Sequence, residues 1–294
     1  MPKKPAKSTH RKRDPPSTQS NPSHGGFMST HSSGKGTAVI TGASAGIGKV
    51  YANRLAKQGY DLLLIARNAD SLSELAQSLS AQFGIRATFL AEDLTTQSGV
   101  ETVVTAITRD ATITMLVNNA GAGTLGGFTD SKLSNLETMN ALNVDALVHL
   151  SYAILPLFKQ RDKGTLVNIS SVLALHTLPV STVYSGTKGY VLSFTRGLQQ
   201  EVAGTNVKVQ LVMPAATHTG FWDIAGFPVS NLDKSVVMSA DHLVDAALAG
   251  LAQGESITLP SVEDLRLWEE YDEAREKLFQ ASQSGKPASR YNVA

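Results

Sequence analysis

The amino-acid sequence predicts an α/β fold, a doubly wound parallel sheet of about seven strands with helices on both faces. From residue 37 onward, short apolar runs alternate with longer stretches of helical spacing, which is typical of strands joined by crossover helices. The runs are apolar at nearly every position, as strands covered on both faces require. A glycine-rich turn separates the first run from the first helical stretch.

Six apolar runs are predicted as strands. They are TAVIT at 37–41, YDLLLIA at 60–66, RATFLAED at 86–93, TMLVNNA at 114–120, GTLVNIS at 164–170 and VKVQLVMP at 207–214. A seventh strand is expected near ESITLP at 255–260, at the sheet edge. Helices are predicted near 46–58, 70–83, 97–109, 133–160 and 184–203, and a further helix is expected after Ser239, whose hydroxyl suits an N-cap.

Composition agrees with a compact enzyme. The chain has 294 residues with 42% apolar content, enough for one domain of about 250 residues with a substantial core. It has no cysteine, so disulfides and thiolate metal sites are excluded, and a reducing cytoplasm is the expected location. The most apolar stretch, 146–158, is interrupted by His149, Ser151 and Pro156. It is therefore interpreted as a buried helix, and no membrane span is expected.

Residues 1–35 are predicted to form a disordered basic extension. Residues 1–30 contain six basic side chains against one acidic side chain, and five of the eleven prolines. Such a segment has too little apolar surface to offset the entropy of ordering it. Its charge could attract nucleic acid or an anionic membrane, or serve as an import signal. We favour a solvated extension, with Met28 as a possible true start, and expect no nucleic-acid partner.

Tyr184 and Lys188 are four residues apart and would share one face of a helix. A phenol normally titrates near pKa ~10, but an adjacent ammonium favours the phenolate and lowers that pKa. The pair could then act as a general acid and base. Ser171, thirteen residues before Tyr184, could hydrogen-bond an oxygen on which charge develops. Alternatively, a serine at a strand end bonds only the backbone.

The turn TGASAGIG at 41–48 places Gly42, Gly46 and Gly48 between the first strand and the first helix. Glycines at this spacing leave backbone amides and the helix N-terminus open to a pyrophosphate. Taken alone, the turn fits an ordinary strand-to-helix connection equally well.

Together, these motifs resemble those of the short-chain dehydrogenase/reductase family, over roughly residues 36–256. TGASAGIG is similar to the family's cofactor-binding glycine motif, and Asn118-Asn119-Ala120-Gly121 to its structural NNAG motif. The similarity to the catalytic tetrad is carried by Asn143, Ser171, Tyr184 and Lys188. The resemblance implies a Rossmann-type fold and reversible hydride transfer between a nicotinamide cofactor and a carbonyl or secondary alcohol. No metal is implied.

The resemblance also implies a role for each member of the tetrad. Tyr184 would give the carbonyl oxygen its proton, and Lys188 would lower the phenol pKa and hold the nicotinamide ribose. Ser171 would orient the substrate. Asn143 lies inside a predicted helix, where asparagine is disfavoured by propensity; the matching family residue distorts that helix and holds a water in a proton relay to the lysine.

The predicted cofactor is NADP(H). Ala66 stands where an NAD-preferring domain usually has an acid after its second strand, and Arg67 could hold a 2′-phosphate through its guanidinium. The resemblance places the cofactor against Gly42, Ser44, Gly46, Ile47, Gly48, Arg67, Asp93, Asn119, Tyr184, Lys188 and Thr219. For Asp93, a role at the start of a helix is the alternative. An NAD-linked polyol or hydroxy-acid dehydrogenase, or a catalytically idle NADP-binding sensor, remains possible.

Two segments outside the motifs bear on substrate and assembly. The stretch between Thr219 and Ser239 contains Phe221, Trp222, Ile224 and Phe227. It resembles the family's mobile substrate lid and predicts a partly apolar substrate, with a core-packing segment as the alternative.

Residues 257–294 are predicted as a C-terminal helical extension that packs on the domain or on another subunit. The resemblance implies a homodimer or homotetramer through the helices carrying Asn143 and Tyr184. These helices offer apolar side chains at Leu147, Leu150, Ile154, Leu192, Phe194 and Leu198, most of which could instead face the sheet.

Overall fold

The computed structural model describes residues 1–2 and 34–293. The predictions of a disordered basic extension and of a start at Met28 concern residues that lie almost entirely outside this range. The chain divides at residue 31, and the unit of residues 32–294 contains the sheet and all of its helices.

Seven parallel strands form the central sheet, in the order β3-β2-β1-β4-β5-β6-β9. Two further short strands, β7 and β8, pair with each other in parallel. In chain order the nine strands are β1 Thr37–Thr41, β2 Asp61–Ala66, β3 Ala87–Ala91, β4 Ile113–Asn118, β5 Gly164–Ile169, β6 Val207–Val212, β7 Thr217–His218, β8 Met238–Ser239 and β9 Ile257–Thr258. The predicted doubly wound sheet is confirmed, and the predicted seventh strand is β9.

Helices follow most strands of the sheet. They are α1 Gly46–Lys57, α2 Ala69–Phe83, α3 Gln97–Arg109, α4 Leu133–Asn140, α5 Ala146–Gln160, α6 Thr182–Glu201, α7 Phe221–Ile224, α8 Ala240–Gln253 and α9 Arg266–Ser282. The strand order reverses between β1 and β4, so the connections leaving these two strands run to opposite sides. A crevice therefore opens at their carboxyl ends, which is where such sheets bind ligands.

The two faces of the sheet pack against different helices because successive side chains of a strand point in opposite directions. Ala38 and Ile40 pack with α1, α2 and α8, whereas Val39, between them, packs with α3 and α5. All three are fully buried. The edge strand β3 is the exception, since Phe89 remains partly exposed there.

The predicted helix at 133–160 is interrupted. A π-helical turn, Ala141–Asp145, separates α4 from α5. Among the described residues, this run of 28 is the one helix long and apolar enough to span a membrane by length and composition. The mean hydropathy of this run is high enough for a membrane span, although polar residues interrupt its apolar positions. Leu150, Ile154 and Phe158 of α5 are buried against the sheet and α3, and this core packing accounts for the apolar composition.

A buried polar network fixes α5 and α6 to the sheet. The Asn118 side-chain amide donates to Ser151 Oγ at 3.1 Å and to Asn168 Oδ1 at 3.0 Å. Asn168 in turn donates to Thr195 Oγ1 at 2.9 Å. Asn118 and Asn168 lie on β4 and β5, and Ser151 and Thr195 lie on α5 and α6. The position of α6, which carries Tyr184 and Lys188, is thus tied to the middle of the sheet.

Removing the centre of this network should destabilise the protein. Asn168→Ala removes two hydrogen bonds and leaves buried polar groups on β4 and α6 without their partner, which costs about 1–3 kcal/mol. Urea unfolding of both proteins measures this loss. Asn135→Ala, at an exposed asparagine of α4, is the matched control, and an equal effect of the two substitutions would contradict a role for the network.

Candidate active site

The glycine turn has the geometry that its sequence predicts. Gly42 and Gly46 have φ of +66° and +52°, in the left-handed region that favours glycine. A side-chain carbon on Gly48 would lie 2.6 Å from Asn119 Nδ2 and closer still to the Gly42 carbonyl oxygen. α1 begins in this turn without a side-chain cap. No side chain accepts hydrogen bonds from its first amides, which leaves them available to an anion or to solvent.

The NNAG segment locks the end of β4 to the end of β1. Thr41 Oγ1 accepts hydrogen bonds from the backbone amides of Asn119 at 3.0 Å and Ala120 at 2.9 Å. The Asn119 side chain donates to the Thr41 carbonyl oxygen at 2.9 Å. Asn119 therefore supports the glycine turn from the end of the neighbouring strand. The start of α1 at this turn suits an anion such as a pyrophosphate, because no side chain caps its first amides.

Asn143 connects the NNAG segment to α6. It lies in the π-helical turn and is 1% exposed. Its Oδ1 accepts from the Ala122 amide at 2.8 Å, and its Nδ2 donates to the Ala122 carbonyl at 2.9 Å and to Thr187 Oγ1 at 3.1 Å. The helix is distorted at this residue, which explains how a poor helix former is accommodated there.

Ser171, Tyr184 and Lys188 meet at the carboxyl end of β5. Lys188 is 5% exposed, and its ammonium donates to the Ile169 carbonyl oxygen at 3.0 Å. The same ammonium lies 5.6 Å from the centre of the Tyr184 ring. Ser171 is buried next to Tyr184 and accepts a hydrogen bond from the Leu173 amide at 3.1 Å. The structure thus brings together the serine, tyrosine and lysine that the sequence separates by thirteen and four residues.

The predicted lowering of the phenol pKa is wrong for this arrangement. Burial raises the pKa of Tyr184 to about 12, while a hydrogen bond from Ser171 acts in the opposite direction. The Lys188 ammonium lies over the ring, and its hydrogen bond goes to Ile169 rather than to the phenol oxygen. Burial lowers the pKa of Lys188 to about 8. Burial therefore moves the two pKa values apart, because desolvation disfavours the phenolate of Tyr184 and the ammonium of Lys188.

Arg67 and Asp93 follow β2 and β3 at the same edge of the sheet. Arg67 is exposed, and no ion pair within the described residues holds it. Asp93 Oδ1 accepts from the Thr95 amide at 2.9 Å and from Thr95 Oγ1 at 2.8 Å. These bonds, with a smaller effect of the Arg67 charge, lower the pKa of Asp93. Asp93 stabilises the turn before α3, whose N-cap is Thr96.

The segment between Thr219 and Ser239 is fastened at both ends. β7 and β8 pair at its base, and Thr219 lies against Gly46 of the glycine turn. Trp222 Nε1 donates to the Thr217 carbonyl oxygen at 2.7 Å. Trp222 is thus an anchor of the segment, whereas the sequence suggested a substrate contact. The ring next to Tyr184 belongs to Phe221, with 5.7 Å between ring centres, and the sequence marked Phe221 only as one of the apolar residues of this segment.

Most of the side chains expected at a subunit interface are buried by contacts within the chain itself. Leu147, Leu150, Ile154 and Leu192 are buried because they face the sheet and neighbouring helices. The outer faces of α5 and α6 instead expose Tyr152 and Tyr190. α9 contacts the body through Trp268, which packs beside α6, while Leu267 and Leu278 are exposed. Within the described residues, no three acidic or histidine side chains are grouped as metal ligands.

Comparison with known proteins identifies the family. The profile of the short chain dehydrogenase family matches residues 36–225. The chain belongs to this family. Its oxidoreductase class follows from the relatives, which are named as dehydrogenases and reductases acting on alcohol or ketone groups.

Two solved short-chain dehydrogenases are similar over most of their length. A short-chain dehydrogenase from Sphingobium yanoikuyae in complex with NADPH is 38% identical with a TM-score of 0.84, covering 87% of this chain and 99% of that chain. The bulky-bulky ketone specific alcohol dehydrogenase from Comamonas testosteroni is 35% identical with a TM-score of 0.80, covering 87% and 98%. An uncharacterized oxidoreductase of Staphylococcus epidermidis is 29% identical over 226 residues, which are 76% of this chain and 94% of that protein.

The burial of Lys188 should make stability depend on pH. Its pKa is about 8 in the folded protein against an ordinary 10.5, so at intermediate pH the unfolded chain binds a proton that the folded chain has released. Stability therefore rises with pH in this window. We expect the free energy of unfolding of the wild type, relative to Lys188→Met, to increase by about 2 kcal/mol from about pH 8 to about pH 10.

Denaturant unfolding at several pH values measures this difference. Lys163→Met, at an exposed lysine, is the matched control. A wild-type minus Lys188→Met difference that stays flat or falls with pH would contradict the burial of an ammonium at this position.

Proposed function

We propose that this short-chain dehydrogenase uses NADPH to reduce apolar ketones to secondary alcohols, and catalyses the reverse oxidation. The observation that carries the proposal is the meeting of Ser171, Tyr184 and Lys188 beside the glycine turn. A binding protein has no need for a buried lysine next to a phenol, since burying an ammonium costs stability. A proton-transfer site does need such a pair.

Tyr184 donates its phenol proton to the carbonyl oxygen as that oxygen gains negative charge. When bound, the reduced nicotinamide supplies the hydride to the carbonyl carbon. Ser171 hydrogen-bonds the same oxygen and thereby stabilises the developing charge. Lys188, with a pKa of about 8, is poised to return a proton to the phenolate near neutral pH. Asn143 holds the loop over Lys188 through Ala122 and holds α6 through Thr187.

The preference for NADPH over NADH is assigned to Arg67. Its guanidinium is exposed immediately after β2, and Ala66 leaves no carboxylate there to bind a ribose 2′-hydroxyl. A 2′-phosphate would be attracted by this cation. The bound NADPH in the similar Sphingobium yanoikuyae protein supports the choice.

The apolar substrate class is supported by the loops around Tyr184. Backbone hydrogen bonds join Leu125 to Ala225 at 3.1 Å and Gly126 to Val180 at 2.9 Å, so three loops meet beside the site. Their outer side chains include the exposed Leu178, Val180 and Phe227. Exposed apolar side chains grouped in this way are typical of a surface that receives an apolar ligand. The similar Comamonas testosteroni enzyme is specific for bulky-bulky ketones.

We further infer a homodimer or homotetramer in the cytoplasm. The outer faces of α5 and α6 are the proposed contacts, with Tyr152 and Tyr190 in place of the leucines that the sequence suggested.

The proposal is tested by mixing the purified protein and NADPH with a panel of ketones and following the loss of reduced-nicotinamide absorbance. Turnover of at least one apolar ketone is expected. Tight NADPH binding without turnover of any member would favour the idle-sensor alternative. Faster turnover of polyols or hydroxy acids with NAD would favour the NAD-linked alternative.

Tyr184→Phe should abolish turnover while leaving the NADPH dissociation constant nearly unchanged. The substitution keeps the ring and removes only the proton-donating hydroxyl. Steady-state rates and fluorescence titration with NADPH measure the two quantities. A variant that keeps more than about a tenth of the wild-type rate would reject Tyr184 as the acid.

Arg67→Ala should weaken NADPH binding about ten- to a hundredfold and leave NADH binding almost unchanged, because a charge-assisted contact contributes about 1.5–3 kcal/mol. Arg109→Ala, at the distant end of α3, is the control for loss of a surface charge. Equal losses for the two cofactors in Arg67→Ala would show that the residue does not recognise the 2′-phosphate.

A further inference from the structure

Gly123 and Phe221 form a closely fitted pair, which we call the Gly123 socket. Gly123 is buried in the loop after β4, and Phe221 is the first residue of α7. A methyl group placed on Gly123 would lie 2.7 Å from Cε2 of the Phe221 ring and nearer still to Cζ. Its three nearest atoms all belong to that ring. Carbon atoms do not pack this closely, so only glycine leaves room for the ring where it lies.

The backbone of residue 123 does not itself require glycine. Gly123 is absent from the set of described glycines with positive φ, and an L-residue could adopt its conformation. The missing side chain therefore serves the packing of Phe221 rather than a turn.

The position of Phe221 is fixed from several directions. The next residue, Trp222, is hydrogen-bonded to the Thr217 carbonyl oxygen at 2.7 Å. The Ala225 carbonyl oxygen, just after α7, accepts from the Leu125 amide at 3.1 Å. α7 thus binds to the loop that contains Gly123 as well as to the base of its own segment. These bonds fix the backbone of α7 and therefore the point from which the Phe221 side chain extends.

The other side of the ring faces the proposed acid. The centres of the Phe221 and Tyr184 rings are 5.7 Å apart, and the rings are inclined by 52°. At this separation the two rings are in van der Waals contact. A substrate whose carbonyl oxygen reaches the Tyr184 hydroxyl therefore binds close to this pair of rings.

We propose that Phe221, seated in the Gly123 socket, is the residue that limits the size of the ketone substituent lying beside Tyr184. The inference rests on the proposed ketone reduction and assigns its size selectivity to one side chain. Trp222 and the β7–β8 pair hold that side chain in place. Removing the ring creates space next to the phenol, and filling the socket drives the ring out of its place.

Ketone binding can be measured without turnover in a Tyr184→Phe parent saturated with NADPH. Acetophenone, propiophenone and benzophenone share one phenyl group and differ in the size of the second substituent. Their dissociation constants, from ligand-observed NMR, are compared in the parent and in the parent with Phe221→Ala. We expect benzophenone binding to improve relative to acetophenone by about tenfold or more, since a cavity that admits an additional apolar group discriminates by that amount. Phe279→Ala, at an exposed phenylalanine of α9, is the matched control and should leave the ratio unchanged.

A double-mutant cycle tests whether Gly123 acts through the ring. Gly123→Ala alone should weaken binding of all three ketones, because the displaced ring enters the space beside residue 184. In the Phe221→Ala background the same substitution should change binding by less than about twofold, because the ring through which it acts is absent. A purely structural role of Gly123 would give equal effects in both backgrounds.

The outcomes separate this inference from the proposed function. Ketone binding with a benzophenone-to-acetophenone ratio that Phe221→Ala leaves unchanged overturns the size-limiting role alone. Failure of all three ketones to bind in every variant, with NADPH binding intact, overturns the proposed function and this inference with it.

Discussion

The burial of the Lys188 ammonium is the constraint around which the active site is arranged. A charged group loses its hydration when buried, so it must be compensated by polar partners. Here the partner is the carbonyl oxygen of Ile169, at the last residue of β5, and the Ser170 hydroxyl donates to the Lys188 carbonyl at 2.8 Å. These bonds fix the register of α6 against the strand end. They determine where Tyr184, one turn earlier on α6, meets Ser171 at the same strand end.

The loop after β4 packs against this arrangement on two sides. Gly121 leaves room beside Asn143, since a methyl group there would lie only 3.2 Å from Asn143 Oδ1, whereas its 3.6 Å distance from the Lys188 ammonium is an ordinary contact. Asn143 fastens the same loop to α6. On the other side, the loop after β4 continues to Gly123 and supports Phe221 against Tyr184. One loop therefore contacts the lysine, the asparagine and the wall of the substrate cleft, so that catalysis and selectivity depend on the same backbone.

The sequence was sufficient to predict the sheet, most helix bounds and the residues of the glycine turn, because these follow from local periodicity and from glycine's conformational freedom. It did not predict the pKa of Tyr184, since burial acts against the lysine and depends on packing. It did not reveal that Trp222 anchors its segment, because the hydrogen bond to Thr217 is a tertiary contact. The pairing of Gly123 with Phe221 joins residues 98 positions apart, and no local pattern marks it. For the leucines of α5 and α6 the sequence left an interface and the sheet as alternatives, because an apolar stripe does not reveal which surface covers it; Leu147, Leu150 and Leu192 are buried in the core.

The position of a bound substrate oxygen tests the proposed mechanism most directly. A crystal structure of the protein with NADPH and a ketone, in the inactive Tyr184→Phe variant, measures that position. A carbonyl oxygen is expected within about 3 Å of Ser171 Oγ and near the para carbon of residue 184, where the hydroxyl would reach it. The Phe221 ring is expected to remain against Gly123 beside one substituent. A ketone bound with its oxygen directed away from Ser171 and residue 184 would contradict the account.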